Sequence, residues 1–471
     1  MVMVSGLSCP ALRAPAMSGR CGGAAGHRGP KMKDHGVVFR LVRASGARVL
    51  AALLFALALA PVSARASVVT VRGAEILVDG VPFVPNGASG LTRLPELKAT
   101  GANVIRTYGE EPGELLDAAQ RAGLKVIVGF WLEHPRRGFD YGNAQAVAEQ
   151  LDRLEHMVVR YRTHPALLAW GVGNEVETEI APEQALAVWP GIEQAAKRVK
   201  SLDPAHPVMA VIADTGTDKV ANLVKFAPSV DILGLNVYGD STLSIIGRAR
   251  AQGWKGPIIV TELGALGQWQ AGMTAWGAPV ELTSTEKADK LRRYLTVLAQ
   301  AKVGALPFYW GQKQEVTPTW HSLFLPGGEW TEPVEAMAEA WGGRTPGKMA
   351  PETPALPGTR ASGDKAPRIL ALRLNGPASV PTGTPLKATL AATDPDGDPL
   401  TVEWQVMAEQ RVRGVGGDFE PTPPAFPAAL KGASPTGVTV SDLEPGSYRL
   451  FVTVRDGRGA AATGNLPFQV K

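Results

Sequence analysis

Two short apolar runs that each end in a glutamate place the strongest constraint on the fold. Leu167–Glu177 contains Glu175, and Pro257–Gly264 contains Glu262. A strand of a buried parallel sheet is a nearly continuous apolar run, and its C-terminal end opens into the site that such a sheet carries. Because a carboxylate is disfavoured inside such a strand, both glutamates are expected at strand ends. They are 87 residues apart, which leaves room for two strand–helix units between them.

Strand and helix patterns alternate from residue 83 to residue 341, which predicts a parallel sheet. Eight such units fit a (β/α)₈ TIM barrel better than a doubly wound sheet. A β-hairpin over residues 68–84, with the turn signal Asp79-Gly80, is expected to plug the bottom of the barrel. The predicted strands are Phe83–Gly87, Asn103–Tyr108, Lys125–Trp131, Leu167–Val172, Val208–Ala213, Ile232–Val237, Ile258–Thr261 and Ala305–Trp310. The predicted helices are Gly113–Ala122, Ala144–Tyr161, Ile192–Leu202, Lys219–Phe226, Ser244–Ala251, Ser284–Ala301 and Pro333–Trp341.

Composition divides the chain into four parts. Residues 1–66 are predicted to be a signal peptide with an over-long N-terminal extension, and residues 67–341 the barrel with its hairpin. Residues 342–366 are rich in Pro and Gly and lack periodicity, as a linker does. Residues 367–471 are expected to form a small all-β sandwich with Trp404 in its core. Its predicted strands are Leu370–Leu374, Leu386–Ala392, Leu400–Val406, Gly437–Val440 and Tyr448–Val454.

The N-terminal segment has the features of a secretory signal. An apolar run at residues 49–60 follows basic residues and precedes small ones that end at Ala66, the predicted cleavage site. The run is shorter than the roughly 20 residues of a membrane span. The mature chain is therefore expected to be secreted or periplasmic, without a membrane span. Both cysteines, Cys9 and Cys21, lie in this segment, so no disulfide or thiol chemistry is expected after cleavage.

The formal charge of +4 is concentrated in the same segment. Residues 1–66 contain nine Lys/Arg against Asp34 alone, so the rest of the chain carries a formal charge of −4. A nucleic-acid-binding surface requires a cluster of positive charge. Nucleic acid is therefore not an expected partner of the mature chain.

Polar and aromatic residues also follow other predicted strands. Arg106 is near the end of the second predicted strand, Tyr238 follows the sixth, and Trp310 ends the eighth. Together with Asn174-Glu175 and Glu262, they form a pattern that resembles the retaining glycosidases of glycoside hydrolase clan A. The resemblance covers the barrel only. It implies that Glu175 and Glu262 are catalytic, and that the substrate is bound by Arg106, Asn174, Tyr238, Trp310 and Trp131.

The chemistry explains why these residue types are needed. Cleavage of an acetal requires a proton for the leaving oxygen and a negative charge near an oxocarbenium-like carbon. Glu175 would be the acid and base, and Glu262 the nucleophile, with its charge stabilised by Arg106 and the Tyr238 hydroxyl. Asn174 resembles the clan residue that hydrogen-bonds the sugar 2-hydroxyl.

Each residue has a structural interpretation as well. A single strand-end glutamate can be an ion-pair partner, Arg106 can tie two strands together, and Tyr238 and the tryptophans can be packing residues. Two acids at one end of a barrel favour catalysis over these alternatives, because that end carries the active site in TIM barrels.

The implied function is a secreted retaining glycoside hydrolase that cleaves β-glycosidic bonds of a glucan-type poly- or oligosaccharide by double displacement. A β-glucan transglycosylase and a catalytically inactive carbohydrate-binding envelope protein are the alternatives. The histidines of the mature chain show no paired spacing on one element, so no metal and no cofactor are expected. A carbohydrate substrate is the expected partner, and the oligomeric state is left open.

Asp394–Leu400 resembles a turn of cadherin-like or polycystic-kidney-disease-like immunoglobulin-fold repeats. Asp394, Asp396 and Asp398 would offer oxygen ligands to calcium. The segment departs from an EF-hand loop, however, because Gly397 precedes the third aspartate and the twelfth position is not glutamate. A solvent-exposed turn is the preferred interpretation.

Overall fold

A computed structural model of the protein describes residues 66–346 and 363–471. The predicted signal peptide, apart from Ala66, and most of the predicted linker lie outside these ranges. Three antiparallel strands open the described chain: β1 (Val69–Arg72), β2 (Glu75–Val78) and β3 (Val81–Phe83). Asp79 and Gly80 both have positive φ, as a two-residue hairpin turn of this type requires. The hairpin prediction is confirmed.

The N-terminal strands close one end of the barrel. Val69 and Ile76 pack in one apolar cluster with interior barrel residues such as Leu168 and Ile259. Both barrel residues lie near the N-terminal ends of their strands. The expected plug at the bottom is therefore present, and the C-terminal ends of the strands stay open to form a site.

Eight parallel strands, β4 to β11, follow one another in a single sheet. Parallel bridges join Asn86 to Ala305 and Gly90 to Trp310, so the first and last strands close the barrel. Each strand is followed by a helix, which confirms the (β/α)₈ order. The strands are β4 (Gly87–Ser89), β5 (Val104–Arg106), β6 (Lys125–Phe130), β7 (Leu167–Asn174), β8 (Val208–Ala213), β9 (Ile232–Tyr238), β10 (Ile258–Gly264) and β11 (Gly304–Pro307). The helices are α1 (Leu94–Ala99), α2 (Gly113–Ala122), α3 (Ala144–Tyr161), α4 (Pro182–Leu202), α5 (Lys219–Phe226), α6 (Ile245–Ala251), α7 (Ser284–Gln300) and α8 (Glu332–Trp341).

Several of the predicted barrel elements need correction. The first barrel strand is β4 at Gly87–Ser89 and not Phe83–Gly87, because Phe83 ends the hairpin. The helix α1 is absent from the prediction. The helix α4 begins ten residues before the predicted Ile192, because it continues through Pro190, a residue type that usually interrupts helices.

The C-terminal part consists of two β-sheets around a second apolar core. Trp404 is 6% exposed in that core and donates its indole N–H to the Ser434 carbonyl at 3.0 Å, as its predicted place requires. The two sheets run β13-β15-β18-β17 and β12-β20-β19-β16, with β14 beside β20. The immunoglobulin-like relationship stays a prediction. The strands are β12 (Trp330–Thr331), β13 (Arg368–Leu374), β14 (Ser379–Val380), β15 (Leu386–Thr393), β16 (Thr401–Ala408), β17 (Leu430–Ser434), β18 (Gly437–Val440), β19 (Gly446–Arg455) and β20 (Ala460–Val470).

Buried polar contacts join this sandwich to the barrel. The short strand β12 lies between β11 and α8 in sequence, yet it pairs with β20 of the sandwich. Arg449 is 1% exposed and donates to Glu409 at 2.7 Å and to the Pro279 carbonyl at 2.9 Å. Asn465 donates to Glu281 at 2.6 Å. Buried donors with acceptors on the other part hold the sandwich in a defined position.

The aspartate-rich segment forms a turn. The Asp394 carboxylate accepts the backbone N–H groups of Asp396 at 2.9 Å and Asp398 at 3.1 Å. Asp396 and Asp398 lie near Asp364, with carboxylate oxygens of the three within 4.8 Å of one another. Arg458 pairs with Asp398 at 2.7 Å.

Among the described helices, none is long and apolar enough to cross a membrane.

Candidate active site

Both predicted catalytic glutamates follow irregular points in their strands. The register between β7 and β8 shifts between Val172 and Asn174, and the register between β9 and β10 shifts between Val260 and Glu262. Bulges of this kind redirect side chains and are frequent beside active sites. Glu175, directly after β7, has a φ of 52°. A left-handed residue other than glycine costs roughly 1–3 kcal/mol, which the surrounding structure must offset.

Three donors hold the carboxylate of Glu262. The Tyr108 hydroxyl donates to Oε1 at 2.9 Å, and the Tyr238 hydroxyl donates to Oε2 at 2.9 Å. Arg106 Nη1 forms an ion pair with Oε1 at 3.3 Å. Glu262 is 7% exposed, so these contacts act with little screening by water. They hold the Glu262 carboxylate in a fixed orientation.

A second set of hydrogen bonds orients Asn174 and Glu175. Asn236 Nδ2 donates to Glu175 Oε1 at 2.8 Å and to Asn174 Oδ1 at 3.0 Å. Thr261 donates to Asn236 Oδ1 at 2.8 Å, which determines how the Asn236 amide is turned. Arg106 Nη2 donates to Asn174 Oδ1 at 2.7 Å. Because Oδ1 of Asn174 is occupied, its Nδ2 group is the donor that a sugar hydroxyl would meet.

The two carboxyl groups lie in different electrostatic environments. Burial raises the pKa of Glu175 to about 8, and the negative charge of Glu262 adds to this effect, while the hydrogen bond from Asn236 opposes it. A carboxyl group with that pKa is protonated at neutral pH, as a general acid must be. Glu262 has a cation beside it, and Glu175 has none in direct contact among the described residues. Glu175 is therefore the carboxyl group of the pair that is suited to donate a proton.

This difference predicts the pH dependence. The clan A resemblance makes Glu175 the acid, which has to be protonated before the reaction, so we expect kcat/KM to fall about tenfold per pH unit above a pKa near 8. Initial rates on an aryl β-glycoside, measured from about pH 6 to about pH 10, would record this limb. The Glu175→Gln variant has no proton to lose and should lack it. A limb that is unchanged in that variant would assign the titration to another group.

An open cleft of about 740 Å³ lies over the C-terminal ends of the barrel strands. It brings together most of the predicted site residues, because its lining includes Trp131, Asn174, Glu175, Tyr238 and Glu262. Trp131 lines the cleft and is stacked on the buried ring of His134, with the ring centroids 4.9 Å apart.

Trp310 and Arg106 do not line the cleft as predicted. The Trp310 ring is fully buried, packs edge-on against Phe324 and donates its N–H to the Arg93 carbonyl at 3.3 Å. The strand β11 ends at Pro307, three residues before its predicted end at Trp310. Tyr309, which follows the strand, lines the cleft instead. The prediction that Trp310 binds the substrate is therefore wrong. The Arg106 side chain is 3% exposed and contacts Glu262 and Asn174, so it is a positioning residue rather than a substrate-binding one.

Two important residues are absent from the prediction, Tyr108 and Asn236. Each lies two positions from a predicted site residue, Tyr108 after Arg106 and Asn236 before Tyr238. Alternate residues of a strand point to the same face. The period of two was therefore the signal that would have identified both.

Comparisons with known proteins address the barrel. The family description "Glycosyl hydrolases family 2, TIM barrel domain" matches residues 97–266, which include both glutamates. A β-glucuronidase from Sus scrofa is 29% identical over 202 residues, which cover 38% of this chain and 28% of the relative. A β-glucuronidase from Streptococcus agalactiae serotype V is 30% identical over 213 residues, which cover 38% and 33%. The matched segment of the barrel is thus similar to the TIM-barrel domain of family 2 glycosyl hydrolases.

The similarity is limited in extent. The chain spans about a third or less of these curated relatives. Among solved structures, a Bacteroides uniformis β-glucuronidase matches with a TM-score of 0.45 and 14% identity, covering 86% of this chain and 48% of that one. The part of the clan A resemblance that concerns the barrel is supported, and the sandwich is not addressed by the family match.

Proposed function

We propose that the protein is a retaining β-glycosidase that works by double displacement. The observation that carries this proposal is the pair of Glu175 and Glu262 in one cleft, with opposite electrostatic environments. Glu262 attacks the anomeric carbon while Glu175 protonates the leaving oxygen, which yields a covalent glycosyl-enzyme. Glu175 then removes a proton from the water that releases the sugar. Asn174 donates to the sugar 2-hydroxyl, where a contact strengthens in the transition state.

The favoured glycone, the sugar whose anomeric carbon is attacked, is a β-linked glucuronic acid, so the favoured substrate is a β-glucuronide. The curated relatives that match the barrel are named β-glucuronidases. Arg413 lines the cleft and donates to the Gly277 carbonyl at 3.2 Å, and it has no carboxylate partner within the described ranges. A guanidinium at a cleft without an ion-pair partner suits a sugar carboxylate, because its donors match the two oxygens.

A neutral β-glucan is the second candidate. Trp269 is 61% exposed and lines the cleft, and Trp131 lines it as well. Flat aromatic faces of this kind pack well against the apolar faces of pyranose rings. A transglycosylase would use the same first step and differ only in the acceptor that enters after the leaving group.

A substrate panel tests the proposal. We expect kcat/KM for 4-nitrophenyl β-D-glucuronide to exceed that for the β-D-glucoside by about tenfold or more. The reason is that the glucoside lacks the carboxylate that would pair with the Arg413 guanidinium. Equal rates on both, together with cleavage of β-glucan oligosaccharides, would favour the second candidate. Products longer than the substrate would indicate transglycosylation.

The same panel tests the alternative that the protein binds carbohydrate without catalytic activity. Hydrolysis of none of the substrates, with glycan binding but no covalent adduct from a 2-fluoro-glycosyl fluoride, would reject the enzyme proposal in favour of that alternative. Secretion with cleavage after Ala66 is a further part of the proposal. The N-terminal sequence of the exported protein would test it.

A further inference from the structure

One wall of the cleft comes from the C-terminal sandwich. The connection after β16, residues 410–420, is called here the sandwich loop. Five consecutive residues of it, from Arg413 to Gly417, line the same cavity as Glu175 and Glu262. Nothing in the sequence pattern of the sandwich suggested a role in the site. A segment more than 100 residues beyond the end of β11 thus forms part of the substrate cleft.

The sandwich loop is anchored to the barrel on one side by the loop after β6. Arg136 donates to the Val415 carbonyl at 2.8 Å, and Arg137 forms an ion pair with Asp418. The Arg136 side chain is 9% exposed, so its hydrogen bond is shielded from water.

On the other side, the anchors come from the loop after β11. Lys313 donates to the Gly417 carbonyl at 2.9 Å, and the Val316 backbone N–H donates to Glu420 at 2.6 Å. Gly417 has a φ of 82°, and a Cβ there would lie 3.0 Å from Lys313 Nζ, so glycine permits this close approach. The loop is therefore held at both ends, as a substrate-binding wall must be.

The anchors locate the wall relative to the scissile bond. Glu175 follows β7 and is hydrogen-bonded to Asn236 on β9, so a leaving group protonated by Glu175 extends over β7 to β9. The sandwich loop is hydrogen-bonded to the loops after β6, β10 and β11. Within the described ranges it forms no hydrogen bond or ion pair with the loops after β7, β8 and β9. It therefore faces the glycone side of the cleft.

We infer that the sandwich loop is a specificity-determining element that limits how many sugar units the cleft accepts on the glycone side. This inference rests on the proposed glycosidase activity and deepens it. A glycone longer than the space in front of Arg413–Gly417 collides with anchored backbone. Substrates with a short terminal glycone are therefore selected, and Arg413 presents its charge to that unit.

The test uses the full-length protein with residues 412–418 replaced by Gly-Gly. The substrates are β-1,3- and β-1,4-linked gluco-oligosaccharides of two to six units labelled at the reducing end, and 4-nitrophenyl β-D-glucuronide. We expect the shortened protein to gain about tenfold in kcat/KM for cleavage that leaves two or more units on the glycone side, the scale on which steric fit discriminates substrates. Identical chain-length profiles for the two proteins would overturn the inference.

Two variants keep the test decisive if the shortened protein is unstable. Arg413→Ala should raise KM for the glucuronide about tenfold with little change in kcat, because it removes a contact made equally before and during reaction. Unchanged KM for the glucuronide would count against the inference. Lys431→Ala is the matched control, because Lys431 lies on the sandwich, is half exposed and pairs with Asp442 away from the cleft. It should behave as wild type.

Failure of the proposed function is distinguishable from failure of this inference. If the wild-type protein cleaves nothing, the glycosidase proposal fails. The affinities of the wild-type and shortened proteins for the same oligosaccharides then decide the inference by calorimetry. Tighter binding of the longer chains by the shortened protein supports a limiting wall, and equal or absent binding rejects it.

Discussion

Replacing Glu262 with alanine is expected to lower kcat/KM on an aryl β-glycoside by roughly 10⁴- to 10⁶-fold, the scale seen when a catalytic nucleophile is removed. The loss follows because neither Tyr108 nor Tyr238, which hold the carboxylate, can take over the attack on the anomeric carbon. The described side chains that contact the Glu262 carboxylate are two tyrosines and an arginine, which do not replace it as a base for water on that face. Rates measured with enzyme in excess of substrate would determine the residual activity.

Added azide would distinguish loss of the nucleophile from loss of the fold. The variant leaves a small space beside Arg106 that suits an anion. Azide bound there attacks from the side of the missing carboxylate, so a β-glycoside should yield an α-glycosyl azide. Glu155→Ala on α3 is the matched control, since Glu155 is partly exposed and pairs with Arg198 outside the cleft. Wild-type rates in Glu262→Ala would exclude Glu262 as the nucleophile.

The barrel and its acids were predictable because their signals are local. A strand buried on both faces needs an unbroken apolar run, and only an opening at its end tolerates a carboxylate. Both requirements are met within the few residues around Glu175 and around Glu262. The helices α2, α3 and α5 were also predicted with correct bounds, because their apolar faces repeat at the helical period.

The failures concern information that the local sequence does not contain. The direction of the Trp310 ring depends on where β11 ends and on Phe324, which packs against it. The strand β20 is absent from the prediction, because its small residues and its glycine have a low strand propensity. Its hydrogen-bonded pairing with β19 and β12 stabilises it as a strand. The contacts of the sandwich loop with Arg136 and Lys313 join residues 279 and 104 positions apart. No periodicity carries such a pairing.

Replacing Glu175 with glutamine is expected to have an effect that depends on the leaving group. For a natural sugar leaving group, which needs a proton, kcat/KM should fall about 10²- to 10⁴-fold, the usual contribution of general acid catalysis. For a 2,4-dinitrophenyl glycoside, which leaves without a proton, the first step should be nearly as fast as in the wild-type protein. The glycosyl-enzyme then accumulates, because the base for the attacking water is missing. A burst of dinitrophenolate followed by slow turnover would show this.

The stereochemistry of azide rescue assigns the two glutamates independently. In the Glu175→Gln variant the nucleophile is intact, so azide attacks the glycosyl-enzyme from the face that the leaving group has vacated. The product should therefore be a β-glycosyl azide, opposite in configuration to that of the Glu262→Ala variant. Glutamine preserves the hydrogen bond with Asn236 in shape, so stability should change little. An equal loss on both leaving groups would mean that Glu175 acts on the structure of the site and does not transfer the proton.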